Sequence, residues 1–194
     1  MPLDGEFRIR PEDYRRQNGG IIFPNPNAPT GLFLPLDQVE EILKNNPDSV
    51  VIVDEAYVDF GGTSALPLID QYENLLVVQT FSKSRSMAGT RIGYAFGSRK
   101  LIAAMENVKY SYNSYTMNQA ALCLGTAAVE DEAYFKDTLR RIIRTREETK
   151  VWLKELGFSF PDYMANFIFA SHEKAAAEEL YKALKEERIY ELNC

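Results

Sequence analysis

The chain is poor in the residues that build metal centres, disulfide frameworks and membrane spans. It has one histidine and two cysteines among 194 residues, and Cys123 and Cys194 are too far apart to indicate a disulfide framework or a zinc site. No apolar run is long enough to span a bilayer, and the amino end lacks the pattern of a secretory signal. These absences predict a cytoplasmic protein that has no metal site and no membrane partner.

Clustered positive charge is also missing. The 22 Lys and Arg residues are outnumbered by 28 Asp and Glu residues, which gives a formal net charge of −6. Because no block of basic residues forms a stripe that could neutralise a phosphate backbone, nucleic acid is excluded as a predicted partner. The apolar share of 45% is enough to bury a core, so the chain is predicted to be folded.

Short apolar runs alternate with helical patterns in the first part of the chain. Apolar residues recur at helical spacing in two segments, and four short runs are typical of strands. The helical segments are 36–43 and 100–108, and the strand-like runs are 21–23, 50–53, 75–78 and 92–96. This alternation predicts an α/β fold, a three-layer sandwich with a mainly parallel sheet.

Helical patterns dominate the later part of the chain. They begin at Met117, continue in a charged helix over 132–156 that Gly157 ends, and return over 173–187. One more strand is predicted over 166–170. Residues 189–194 begin what reads as a further extended segment.

Polar residues follow three of the predicted strands, at the position where open α/β sheets bind ligands. Singly, each has an ordinary structural explanation: Asp54 caps a helix, Tyr57 fills core volume, and Lys83 is one solvated amine among many. The combination of these residues is harder to explain by structural roles alone. Two hydroxyls, an amine and a guanidinium suited to a phosphate-bearing cofactor come from Thr80, Ser82, Lys83 and Arg91.

Pyridoxal 5′-phosphate makes four demands on a protein, and this chain has a candidate for each. Lys83 is the amine that condenses with the aldehyde, and Asp54 is the carboxylate that pairs with the pyridine nitrogen. Tyr57 is the phenol that donates to the ring oxygen. The phosphate needs hydroxyls and a guanidinium, which are supplied by Thr80, Ser82 and Arg91.

The order and spacing of these motifs resemble the class I/II aminotransferases of fold type I, and most closely the histidinol-phosphate aminotransferase family. The resemblance rests on four segments and extends over nearly the whole chain. They are Asn25-Pro26-Asn27-Ala28-Pro29-Thr30-Gly31, Asp54-Glu55-Ala56-Tyr57, Thr80-Phe81-Ser82-Lys83, and Ala88-Gly89-Thr90-Arg91-Ile92-Gly93-Tyr94. Such enzymes are longer at both ends, so the resemblance implies a middle portion of one.

The resemblance implies a large cofactor domain, incomplete here, in residues 1–130, and a linking helix with the first part of a small α+β domain in residues 131–194. It also implies amino transfer between L-histidinol phosphate and 2-oxoglutarate, with glutamate as the other amino acid, in histidine biosynthesis. Lys83 would then also act as the base that moves the substrate proton. Enzymes of this kind work as homodimers, so a second copy is an expected partner.

The chain departs from the family that it resembles at the proline-rich loop. Relatives have Asn directly before Pro-Thr-Gly, whereas this sequence has Ala28, so Asn27 is expected to supply the amide that donates to the ring oxygen.

Two other interpretations stay open. The chain is either another enzyme with the same cofactor, such as an aromatic aminotransferase or a threonine-phosphate decarboxylase, or a non-catalytic remnant. The tyrosine cluster at 110–115 either lies near a substrate phosphate or fills the core.

Overall fold

The computed structural model describes residues 1–189, and its centre is a four-stranded sheet. The strands are β1 (Ile21–Pro24), β2 (Val51–Asp54), β3 (Leu75–Thr80) and β4 (Gly93–Gly97). They lie side by side in chain order, with β1, β2 and β3 parallel and β4 antiparallel to β3. The predicted α/β fold with a mainly parallel sheet is therefore confirmed.

Helices lie on both faces of the sheet. They are α1 (Leu36–Asn45), α2 (Arg99–Tyr112), α3 (Gln119–Glu130), α4 (Glu132–Glu155) and α5 (Ala177–Glu186). On one face, alternate strand residues such as Val51, Val53 and Val77 pack in a fully buried core with Val39 and Ile42 of α1. On the other face, α2 covers only part of the sheet, and Ile22 is 69% exposed.

The strand predicted over 166–170 is wrong. The only strands that the structure places after β4, within residues 1–189, are β5 (Phe158–Ser159) and β6 (Ser171–His172), which pair with each other. The backbone of this segment and of the residue before it bonds elsewhere: the Ala165 carbonyl accepts from Arg146, and the Phe169 carbonyl accepts from the Tyr163 hydroxyl at 3.0 Å. A strand cannot form where the backbone groups already have other partners.

The last predicted helix begins later than its apolar pattern indicates. α5 starts at Ala177 and not at Glu173, because the Lys174 N–H bonds to Nδ1 of His172 and the first helical bonds are to the Ala176 carbonyl. Gly157 ends α4 as predicted, with a φ of 86°.

No helix in residues 1–189 has the length and apolar character needed to cross a membrane. Cys194 and residues 190–194 of the extended segment predicted from sequence lie outside the described residues.

Candidate active site at one edge of the sheet

Four loops meet at one edge of the sheet because of its strand directions. β1, β2 and β3 end there, and antiparallel β4 begins there. Backbone bonds continue past the strands: the Asn25 N–H donates to the Asp54 carbonyl at 2.8 Å, and the Glu55 N–H donates to the Val78 carbonyl at 2.8 Å. All the site residues predicted from sequence lie in these loops or at the last residue of a strand that leads into one, namely Asn27, Asp54, Tyr57, Thr80, Ser82, Lys83 and Arg91.

Two buried asparagines hold the proline-rich loop in place. The Asn25 side chain is 1% exposed; its Oδ1 accepts from the Leu34 N–H at 2.8 Å, and its Nδ2 donates to the Leu34 carbonyl at 2.9 Å. The Oδ1 of Asn27 accepts from the Thr30 hydroxyl at 2.8 Å. Because the oxygen of Asn27 is used within the loop, its amide nitrogen is the part left to meet a ligand.

A glycine lets this loop pack against a later part of the chain. Gly31 has a φ of 72°, and a Cβ at this position would lie 2.7 Å from Cβ of Tyr163. The Gly31 carbonyl accepts from the Met164 N–H at 2.9 Å. The close approach therefore requires a residue without a side chain.

The loop after β2 carries the carboxylate and the phenol. The Oδ1 of Asp54 accepts from the Ala56 N–H at 3.0 Å, which leaves the second carboxylate oxygen for another donor. The Tyr57 ring stands edge to face with Phe167, with ring centroids 5.1 Å apart. The Lys83 Nζ lies 5.2 Å from the centroid of the Tyr57 ring. The structure thus brings the predicted amine and the predicted phenol together.

The hydroxyl of Thr80, at the end of β3, is occupied by hydrogen bonds within the turn that follows the strand. The Thr80 Oγ1 lies 2.9 Å from the Ser82 Oγ and 3.1 Å from the Ile92 carbonyl, and it accepts from the Ser82 N–H. Thr80 therefore stabilises the turn, while Ser82 retains its own hydroxyl hydrogen. Arg91 lies at the same edge, but its Nη1 donates to the Ala88 carbonyl in its own turn and not to the Lys83 loop.

Sequence reasoning missed a buried glutamate next to Asp54. Glu55 is 2% exposed, and its carboxylate accepts from the Ser64 hydroxyl, the Ala65 N–H and the Gln79 amide. Burial raises the pKa of Glu55, and these three hydrogen bonds oppose that rise. Since successive residues point in opposite directions as the strand ends, Asp54 faces the site edge while Glu55 ties β2 to β3.

Three further polar residues connect the loops, and sequence reasoning missed them as well. The Ser84 hydroxyl donates to Oδ2 of Asp59 at 2.5 Å. The Arg146 side chain, 9% exposed, donates to the Phe60 carbonyl at 2.8 Å and to the Ala165 carbonyl at 2.9 Å. Each bond joins segments at least 19 residues apart, so no local sequence pattern could have indicated it.

The tyrosine cluster at the end of α2 and just beyond it is exposed. Tyr110, Tyr112 and Tyr115 are 61%, 92% and 93% exposed, respectively. The interpretation that these residues fill the core is therefore wrong.

Two relatives, one similar in sequence and one similar in structure, are both named histidinol-phosphate aminotransferase. The chain is 54% identical over 190 residues to the histidinol-phosphate aminotransferase of Brachyspira hyodysenteriae, covering 97% of this chain and 54% of that protein. The crystal structure of the histidinol-phosphate aminotransferase from Clostridium acetobutylicum matches with a TM-score of 0.88 and 28% identity, covering 97% of this chain and 59% of that one. The chain thus spans about half the length of the curated relatives that it matches.

A solved structure with a bound cofactor shares the fold. The histidinol-phosphate aminotransferase from Sinorhizobium meliloti, in complex with pyridoxal-5′-phosphate, matches with a TM-score of 0.86 and 23% identity, covering 98% of this chain and 54% of that one. The sequence model of the family called aminotransferase class I and II matches residues 6–194. Because that match extends over nearly the whole chain, the protein belongs to the aminotransferase class I and II family.

Proposed function

We propose that the chain is the cofactor-holding part of a pyridoxal-phosphate-dependent aminotransferase that acts on L-histidinol phosphate and 2-oxoglutarate in histidine biosynthesis. The family uses pyridoxal 5′-phosphate. The observation that carries the proposal is the convergence of Lys83 and Tyr57, 5.2 Å apart, at the sheet edge where Asp54 has one carboxylate oxygen without a backbone donor. An amine, a phenol and a carboxylate in one place fit the cofactor's aldehyde, ring oxygen and ring nitrogen.

Each side chain at this edge has a proposed task. When bound, the cofactor supplies an aldehyde and an electron-withdrawing ring. Asp54 would pair with the ring nitrogen, and the Tyr57 hydroxyl and the Asn27 amide would donate to the ring oxygen. Thr80, Ser82 and Arg91 would hold the phosphate, with the Thr80 hydroxyl turning from the Ile92 carbonyl and Arg91 from the Ala88 carbonyl.

Lys83 has two proposed tasks. Its amine would hold the cofactor at the aldehyde group. When the substrate amine replaces it there, the Lys83 amine would serve as the base that takes the proton of the substrate carbon and later gives it back. The side chain is exposed at the sheet edge, so it can reach both positions.

Three wider features are also proposed. Residues 1–130 belong to the large cofactor domain, and residues 131–194 form the linking helix and the first part of the small domain. The working protein is a homodimer with its sites near the subunit interface. Its location is the cytoplasm, which agrees with the low cysteine content.

The decisive experiment uses the visible absorption that appears when a lysine condenses with pyridoxal 5′-phosphate. The chain should gain the band on addition of the cofactor, and Lys83→Ala should lose it because no other amine lies beside Tyr57 among the described residues. Lys136→Ala is the matched control, since Lys136 is an exposed lysine on α4. A band that persists in Lys83→Ala, or that never forms, contradicts the proposal.

Substrate choice is tested separately in the full-length polypeptide. L-histidinol phosphate should discharge the band in a single turnover, whereas L-phenylalanine and O-phospho-L-threonine should not. Discharge by phenylalanine would favour an aromatic aminotransferase. Release of carbon dioxide from phosphothreonine would favour a decarboxylase, and a band that no amine discharges would indicate a non-catalytic remnant.

A further inference from the structure

A single hydrogen bond joins the loop that carries Lys83 to the loop that carries Tyr57. Ser84, which directly follows Lys83, is 2% exposed, and its hydroxyl donates to Oδ2 of Asp59 at 2.5 Å. Asp59 comes two residues after Tyr57, in the short 3-10 helix Val58–Phe60. Hydroxyl-to-carboxylate bonds are short and strong because the acceptor is charged.

The Lys83 side chain itself has no anchor at its amine. Its Nζ lies over the Tyr57 ring and makes no hydrogen bond or ion pair within residues 1–189. Lysine is a flexible four-carbon stem, so the amine's position depends on where the backbone is held. The neighbouring backbone is fixed by a bond from the Ser86 N–H to the Lys83 carbonyl at 3.1 Å.

The two residues after Lys83 are anchored to different elements. Arg85 points to the helices: its Nη1 donates to the Ala128 carbonyl at 2.5 Å, and its guanidinium carbon lies 4.0 Å from the centroid of the Phe135 ring. Ser84 instead bonds to the loop of Tyr57. Of these two anchors, only the Ser84 bond fixes the amine relative to the phenol.

We infer that Ser84 and Asp59 form a clasp that positions the Lys83 amine beside Tyr57 for condensation with an aldehyde cofactor. Both act through Lys83 and are therefore positioning residues. The inference rests on the proposed function, because it assigns the clasp to the reaction of Lys83 with the cofactor. Misplacing a reacting group by about 1 Å slows a reaction by about a hundredfold, so even partial loss of the clasp is measurable.

The test compares two lysines in the same molecule. Pyridoxal 5′-phosphate is added briefly, the product is trapped with borohydride, and mass spectrometry gives the ratio of adduct at Lys83 to adduct at exposed Lys136. A loss of overall stability changes the unfolding temperature but not the reactivity of a properly placed amine relative to Lys136. The ratio therefore separates positioning from a purely structural role.

We expect Ser84→Ala to lower the Lys83 to Lys136 ratio by on the order of tenfold, since the amine is no longer held in place. Asp59→Ala should do the same, and the double variant should be no worse than either single one. Asp59→Asn keeps an acceptor oxygen and should restore most of the ratio. Ser49→Ala is the control, since the Ser49 hydroxyl donates to the Asn18 carbonyl at the far end of the sheet.

Each contrary outcome has a distinct meaning. A wild-type ratio in Ser84→Ala, or additive losses in the double variant, overturns the clasp while the proposed function stands. A wild-type chain that labels Lys83 no faster than Lys136 overturns the proposed function and the clasp with it. If Ser84→Ala does not fold, Asp59→Ala and Asp59→Asn carry the same test from the other side of the bond.

Discussion

The sheet region, residues 21–97, and the helical region, residues 99–189, differ in how far their apolar side chains are buried. Within the described residues, the buried apolar side chains lie in the sheet region except for Ala121, Tyr163 and Ala165. Large apolar side chains of the helical region are exposed instead, for example Leu124 at 54% and Trp152 at 59%. An apolar stripe is buried only where another element packs against it, and the sheet provides that partner for α1.

The proposed site lies in the better buried region, and this agrees with what its chemistry needs. The loops that carry Asn27, Tyr57 and Lys83 start from strands whose inner residues are fully packed. Groups that must meet a cofactor with sub-ångström accuracy need such a rigid base. The helical region supplies supports such as Phe167 and Arg146, which contact the Tyr57 loop from outside.

The largest expected effect is on the core itself, and a pair of matched leucines tests the comparison. Leu43→Ala, at a position 1% exposed, should lower the free energy of unfolding by about 2–5 kcal/mol because it leaves a cavity. Leu124→Ala, at a position 54% exposed, should lower it by less than about 0.5 kcal/mol. Urea denaturation followed by circular dichroism measures both. Equal losses would mean that the helical region is buried in solution, for instance by self-association.

The second-largest expected effect is on the contact between the sheet region and the helical region. Arg146→Met should cost about 1–3 kcal/mol of unfolding free energy, because the Phe60 and Ala165 carbonyls lose their donor. Arg144→Met is the control: its partner Glu148 is 3.8 Å away and both side chains are exposed, so the expected cost is under about 0.5 kcal/mol. The same denaturation measurement applies. Similar losses in the two variants would show that the buried arginine does not hold the regions together.

The smallest expected effect is a pH dependence within the sheet region. Burial raises the pKa of Glu55, so the folded state binds its proton more tightly than the unfolded state does. This contribution to stability is fully present below the ordinary glutamate pKa of 4.5 and is lost as the pH rises through the raised value. Glu55→Gln should therefore flatten the decline in stability from pH 4.5 upward, measured by urea denaturation across pH. An unchanged slope in Glu55→Gln would contradict this prediction.

Much of the fold could be predicted because its causes are local. The apolar spacing over 36–43 predicted α1, and the β-branched run over 50–53 predicted β2 within one residue. The convergence of the three strand ends followed from the parallel arrangement. The strand expected over 166–170 does not form: the Phe169 carbonyl inside it accepts from the Tyr163 hydroxyl, and the Ala165 carbonyl beside it accepts from Arg146, 19 residues away in sequence.

The candidate site also has features that could be predicted from the sequence and features that could not. The residue types that suit a phosphate-bearing cofactor, including Lys83 and Asp54, are visible from their order along the chain. The order of residues does not show which of the two adjacent carboxylates is buried. It also does not show the bond from Ser84 to Asp59, which joins residues 25 positions apart.

The order of residues alone decided where the strands of the main sheet and helix α1 form and which chemical groups follow each strand, because backbone propensity and apolar periodicity act over a few neighbours. Only the tertiary structure decided which groups face one another: Lys83 over Tyr57, Glu55 inside its network, Arg146 between two distant carbonyls. The physical reason is that hydrogen bonds and packing contacts depend on distance in space, which folding sets and sequence separation does not.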